Sequence, residues 1–118
     1  MPGKLVNDLG AITISDQVLG TLAGAFAVEC YGVVGMASKK ASDGIVELLG
    51  RDNLSRGVKI AVQDNRMVVD LFIIVQYGTS MAAVAQNIID TVKYNLEQTT
   101  GMTVTEVNVT IEGVRVQS

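Results

Sequence analysis

Residues 66–77, RMVVDLFIIVQY, constrain the fold more than any other part of the chain. In a strand, successive side chains point to opposite faces. Val69, Leu71, Ile73, Val75 and Tyr77 then share one face, and Val68, Asp70, Phe72, Ile74 and Gln76 share the other. Both faces are largely apolar, which predicts a central strand covered on much of both sides. Just before it, VKIAVQ alternates with Val58, Ile60 and Val62 on one face, and Asp64-Asn65 is a turn pair tolerant of positive φ. The two segments therefore read as a hairpin.

Two helices supply the cover. Ser15 offers an N-cap oxygen and Asp16 a favourable first-turn charge for a helix running to about Cys30. Its predicted buried stripe is Val18, Leu19, Leu22, Ala23 and Phe26. The face away from that stripe carries Gly20, Thr21, Gly24 and Val28. A glycine inside a helix costs about 1 kcal/mol against alanine, so Gly20 and Gly24 imply close approach of another element. That element belongs either to the same fold or to another subunit. After the break at YGTS, Thr79 or Ser80 caps a second helix, with Met81, Val84, Ala85, Ile88, Ile89, Val92 and Leu96 as its stripe. Its wet side holds Gln86, Asp90, Lys93, Glu97 and Gln98, and Gly101 is placed to end it in the left-handed conformation.

The remaining segments complete the order. GAITIS reads as a short strand, YGVVGMAS as another, and GIVELLGR as a short helix. TVTEVNVTIEGVRV alternates, with Val107, Val109 and Ile111 buried against solvated Glu106, Asn108, Thr110 and Glu112. The predicted fold is α+β, a two-layer sandwich β-α-β-(short α)-β-β-α-β with two main helices on a mixed sheet. Residues 1–8 read as a flexible N-terminal arm and 9–118 as one domain, as a length of 118 residues allows.

Chemistry is sparse. The chain has no histidine and one cysteine, Cys30, which excludes histidine-based triads and a disulfide framework and argues against a zinc site. Cys30 reads as a small buried hydrophobe in a reducing compartment. No Walker pattern, EF-hand loop or S-x-x-K tetrad occurs. Asp70 has a partly apolar setting of the kind that raises a carboxyl pKa, with Asp64 six residues away. Such a carboxylate is more often held by a backbone group or an arginine than used in catalysis. With a net charge of −3 the chain lacks the positive field that captures nucleic acid, and its aromatics are not interleaved with basic residues. No cofactor or metal is expected, and no apolar run is long enough to span a bilayer.

The stretch GRDNLSRG has two main readings. Gly50 ends a helix, Asp52 and Asn53 favour turns, Leu54 anchors the loop and Gly57 opens the next strand. It is thus a structural connector, or else a patch in which Arg51 and Arg56 recognise carboxylates or phosphates. The candidate partner surface comprises Gly20, Gly24, Arg51, Asp52, Asn53 and Arg56.

The sequence also resembles a family. GAITISDQVL, then GVVGM, then GVKIAVQDNRMVVDLFIIVQYGTSMAAVAQNIIDTVKYNLEQTTGMTVTEVNVTIEGV follow the order found in the alkaline-shock-protein (envelope stress response) family of Gram-positive bacteria. The likeness covers roughly residues 9–114 and is similar to the short, tail-less branch. Tyr31 replaces a proline usual in the family. The resemblance implies a non-enzymatic cytosolic protein of envelope homeostasis, with no catalytic residues to carry over. It implies assemblies in some relatives, membrane attachment through a small anchoring protein, and for short members a fatty-acid-kinase-like genetic neighbour.

Three functions are carried forward. The first is an interaction protein that self-associates or docks on an envelope-associated protein, peripheral to the membrane through that partner. The second is an accessory module for an acidic or lipidic ligand held by Arg51 and Arg56, or for the fatty-acid-kinase-like partner that the resemblance implies. The third, least supported by the acidic charge, is an RNA-binding α+β module.

Overall fold

The long apolar segment is the centre of the sheet. The computed structural model describes residues 3–7, 9–38, 48 and 51–116, with the backbone alone over 3–7 and 51–53. Its elements are β1 (Gly3–Asn7), β2 (Gly10–Ile14), α1 (Asp16–Val28), β3 (Val33–Met36), a 3-10 helix (Arg51–Gly57), β4 (Val58–Gln63), β5 (Arg66–Gln76), α2 (Met81–Thr100) and β6 (Thr103–Arg115). β5 pairs with β6 in parallel along its whole length. Its other edge is shared end to end by two antiparallel strands, β4 opposite Arg66–Leu71 and β3 opposite Ile73–Val75. The sheet is therefore mixed, and with the two helices it makes an α+β fold.

Each junction has a local cause. β4 and β5 meet through the two-residue loop Asp64-Asn65, in which Asp64 takes φ 57°. A parallel partner for β5 requires a crossover, and α2 provides it over twenty residues. The Ser80 hydroxyl starts α2 by accepting from the Ala83 amide at 3.3 Å. Gly101, at φ 77°, stops it, its amide donating to the Glu97 carbonyl at 3.0 Å. Ser15 opens α1 in the same way, accepting from the Val18 amide at 3.2 Å.

The core lies between the helices and one face of the sheet. Met67, Val69, Leu71, Ile73 and Val75 of β5 meet Val84, Ile88, Val92 and Leu96 of α2 and Leu19, Ala23 and Ala27 of α1. Each fully buried aliphatic side chain contributes about 1.5–3 kcal/mol. Two expectations are corrected here. The second face of β5 is covered only in part: Val68, Asp70, Phe72 and Gln76 are half-buried and Ile74 alone is closed off. On that side Leu48 stands over β3, where a Cβ at Gly35, in register with Ile74, would come within 2.8 Å of the Leu48 Cδ1.

The second correction concerns α1. Its buried arc is Leu19, Gly20, Ala23, Gly24 and Ala27, while Val18 is 49% exposed and Leu22 and Phe26 are half-buried. The helix lies between the 3-10 helix on one side and α2, β3 and β4 on others, so its buried arc includes the glycines. This wide arc also accounts for the absence of charge between Asp16 and Glu29.

Gly3–Asn7, read from sequence as part of an arm, form β1 and pair antiparallel with β2 from Gly3↔Ile14 to Asn7↔Gly10. The short helix expected over GIVELLGR lies mostly outside the described residues. Leu48 within it makes an isolated antiparallel bridge to Ala37, and the helical turn that is described begins later, at Arg51.

Candidate functional site

The GRDNLSRG stretch is built onto α1. Its residues 51–57 coil into the 3-10 helix, which seats on the two glycines of α1. A Cβ at Gly20 would stand 3.3 Å from the Ser55 Cβ, and one at Gly24 would stand 3.0 Å from the Leu54 Cβ and 3.3 Å from the Leu54 carbonyl oxygen. The close approach implied by the glycine spacing is thus made within the fold. Leu54 is buried in the core, which fastens the turn, and Gly57 sits so tightly that a Cβ would come within 2.7 Å of the Ala37 carbonyl oxygen. Arg56 is exposed at the end of the turn. Of Arg51, Asp52 and Asn53, the structure places the backbone in the first turn of the same helix. The seam therefore unites Gly20 and Gly24, as a buried floor, with the turn that carries the other four candidate residues.

Asp70 lies on the open face of the sheet, directly opposite Lys59 on β4 and Asn108 on β6. The Asn108 amide donates to its carboxylate at 2.8 Å and also to that of Glu106 at 2.8 Å. This is a cross-strand polar ladder on a solvated face, where charge and amide are satisfied by neighbours. Asp64 stands apart from it, in the β4–β5 turn.

Cys30 is 9% exposed, and its thiol donates to the Phe26 carbonyl at 3.6 Å. Burial pushes its pKa up; a hydrogen bond with Thr91 opposes the shift and the Glu29 charge adds to it. A raised pKa disfavours the thiolate, so the group has the character of a packed thiol. Among the described residues, no group of three or more His, Cys, Asp or Glu side chains is placed to hold a metal ion.

Sequence reasoning missed two features. A cleft of about 360 Å³ opens at the start of α2, between Tyr31, Gly78, Thr79, Ser80, Val84 and Asn87. Arg56 does not line it, nor does any charged side chain, so it does not serve the arginine-based ligand reading. The signals for it were the Tyr31-Gly32 and Gly78-Thr79-Ser80 breaks, which read only as turns. The second feature is Glu97. Assigned to the wet side of α2, it turns inward and accepts from the Val104 amide at 2.9 Å, tying the end of the helix to the first turn of chain in β6.

A model of the alkaline shock protein 23 family, described by a cell envelope-related function, matches residues 4–116. The chain is similar to the uncharacterized protein YloU of Bacillus subtilis (strain 168), 46% identical over 114 residues, which span 96% of this chain and 95% of that protein. It is also similar to Spy1614 of Streptococcus pyogenes serotype M6, 40% identical over 117 residues, 98% of this chain and 97% of that one. YqhY of Bacillus subtilis (strain 168) is 31% identical over 107 residues, 91% of this chain and 78% of that one. Among solved structures, MamM CTD matches with a TM-score of 0.49 at 11% sequence identity, covering 86% of this chain and 95% of that chain, and nothing about this chain follows from it.

Proposed function

Because this chain belongs to the alkaline shock protein 23 family, whose function is cell envelope-related, we propose that it serves the envelope as a non-enzymatic, cytosolic interaction protein. It acts by self-association or by docking on an envelope-associated protein. The observation that carries this reading is the extent of the family match, residues 4–116, which takes in nearly all of the single domain proposed over 9–118. Among the described residues no helix is long and apolar enough to cross a membrane, and in this reading the envelope is reached through a partner.

The docking surface we assign is the 3-10 helix that carries Arg51, Asp52, Asn53 and Arg56, with Gly20 and Gly24 as the floor beneath. A guanidinium presents a rigid fork of donors that matches a carboxylate or phosphate, so a turn with two arginines suits an acidic partner. The packing of Leu54 and Ser55 on α1 supports this, because it holds the turn in one place before binding.

Fractionation of cells expressing the full chain tests the reading. The chain is expected to co-sediment with the envelope, and Arg56→Glu, a change at an exposed position, to release it while the chain stays folded. A chain that stays wholly in the soluble fraction and behaves as a strict monomer overturns the reading. Equal partition of the two proteins removes the Arg56 surface from it. Turnover of a substrate that is lost in Asp70→Asn without unfolding overturns the non-enzymatic part.

A further inference from the structure

Core packing reaches the β1–β2 hairpin only at Ile14, the last residue of β2. β1 pairs with β2 and, among the described residues, with no other strand, and Gly10–Thr13 of β2 are exposed. Leu9 at the turn is 98% exposed and Ile12 is 56% exposed. An isolated two-stranded hairpin is marginal in water, because its few ladder hydrogen bonds hardly offset the entropy of ordering it. Apolar side chains left in solvent add to the deficit. A hairpin of this kind is stable when a further strand or surface covers it.

The same chain carries an edge that lacks cover. β6 runs for thirteen residues, the longest strand described, and pairs only with β5 among the described residues. Its outer edge presents alternate backbone N–H and C=O groups to solvent, a template that natural folds shield or pair. Hairpin and β6 are not paired with each other inside one chain. A second copy supplies what each lacks, since every copy brings a hairpin without a third strand and the long edge of β6, while the sheet's other edge is divided between the shorter β3 and β4. Charge does not oppose this. The hairpin from Gly3 to Ile14 is neutral, with Lys4 and Asp8, and β6 holds Glu106 and Glu112 against Arg115 alone.

We propose that the β1–β2 hairpin of one copy adds to the outer edge of β6 in a second copy, extending that copy's sheet by main-chain hydrogen bonds. This strand addition rests on the self-association reading above and names the surfaces that perform it. Backbone pairing supplies the attachment, and Ile12, in register with Leu5 of β1, supplies an apolar contact.

Hydrogen exchange of the full chain as a function of its concentration, alongside light scattering, tests it. Residues 10–14 and 103–115 are expected to gain protection together as copies associate, with Met67–Val75 protected throughout. Ile12→Lys is expected to raise the apparent dissociation constant by about tenfold or more and to abolish both gains. Ile12→Thr, which keeps a β-branched residue and so keeps the hairpin formed, is expected to weaken association in the same direction. Association with protection elsewhere, or association indifferent to both variants, overturns this inference and leaves the interaction reading standing. An absence of association at every concentration overturns it too, and the envelope fractionation then decides the broader reading by itself.

Discussion

Substitution of alanine for Gly24 probes the seam that positions the candidate surface. On an open helix face the change would stabilise by about 1 kcal/mol, because alanine loses less backbone freedom on folding. Here the new methyl would stand 3.0 Å from the Leu54 Cβ, 3.3 Å from its carbonyl oxygen and 3.5 Å from its carbonyl carbon. Two of those three atoms are backbone, and Leu54 is held in the core, so no side-chain rotation relieves the contact. The 3-10 helix has to move outward by several tenths of an ångström. Overpacking of this kind costs about 1–3 kcal/mol, and subtracting the propensity gain leaves a net loss of about 1 kcal/mol.

Gly20 is an internal control one turn earlier on the same helix. Its added methyl would meet the Ser55 Cβ at 3.3 Å and the Ser55 backbone only at 3.6 and 3.7 Å, so most of the propensity gain survives. Gly20→Ala is therefore expected to be neutral or stabilising by up to about 1 kcal/mol, and the two variants to differ by about 1–2 kcal/mol. Urea denaturation measures this as a difference in midpoint at a common slope. Equal stability of the two, or a more stable Gly24→Ala, would refute the close seating of the turn on α1.

Two further perturbations test the core. The Thr100 hydroxyl, buried, donates to the Leu96 carbonyl at 2.7 Å and accepts from the Met102 amide at 3.1 Å, closing the turn from α2 into β6. Thr100→Val strands that amide and is expected to cost about 1–3 kcal/mol in chemical denaturation, against about 0.8 kcal/mol for Thr100→Ser, which keeps both bonds and loses one methyl. A Val variant no worse than Ser would show that the hydroxyl is not holding the turn. The raised pKa of Cys30 sets a sign for alkaline stability. Above the ordinary thiol pKa of about 8.5 the unfolded chain gives up this proton before the folded one, so the stabilisation present below that pH is lost as pH rises through the folded value. Cys30→Ala is expected to flatten the fall of unfolding free energy with pH in that range, and an unchanged slope would contradict the burial of the thiol.

How much was legible beforehand differs by element. The alternation in β4 and β6 and the stripe Val84-Ile88-Val92-Leu96 are written in local periodicity, and they appear in the structure with the buried sides expected. The caps Ser15, Ser80 and Gly101 were readable for the same reason, since each depends on residues within one turn of itself. α1 was misread because its apolar residues nearly encircle it, and periodicity then has no phase to report. The glycines at 20 and 24 announced a close neighbour without saying which, and the cleft at Tyr31 and Ser80 brings together segments roughly fifty residues apart.

By itself, then, the order of residues determined the two long helices and the strands β2 to β6, the caps that bound the helices, which sides of most of them are apolar, and that histidine-based chemistry is excluded. The tertiary structure decided that β6 joins β5 in parallel, that a 3-10 turn covers the glycines of α1, that Glu97 turns inward to β6, and that one face of β5 is only half covered. The division follows from range. Propensity, capping and periodicity act over a few residues, whereas which backbone edge or side-chain face meets which depends on how distant segments compete to cover one another, and no local pattern encodes the winner.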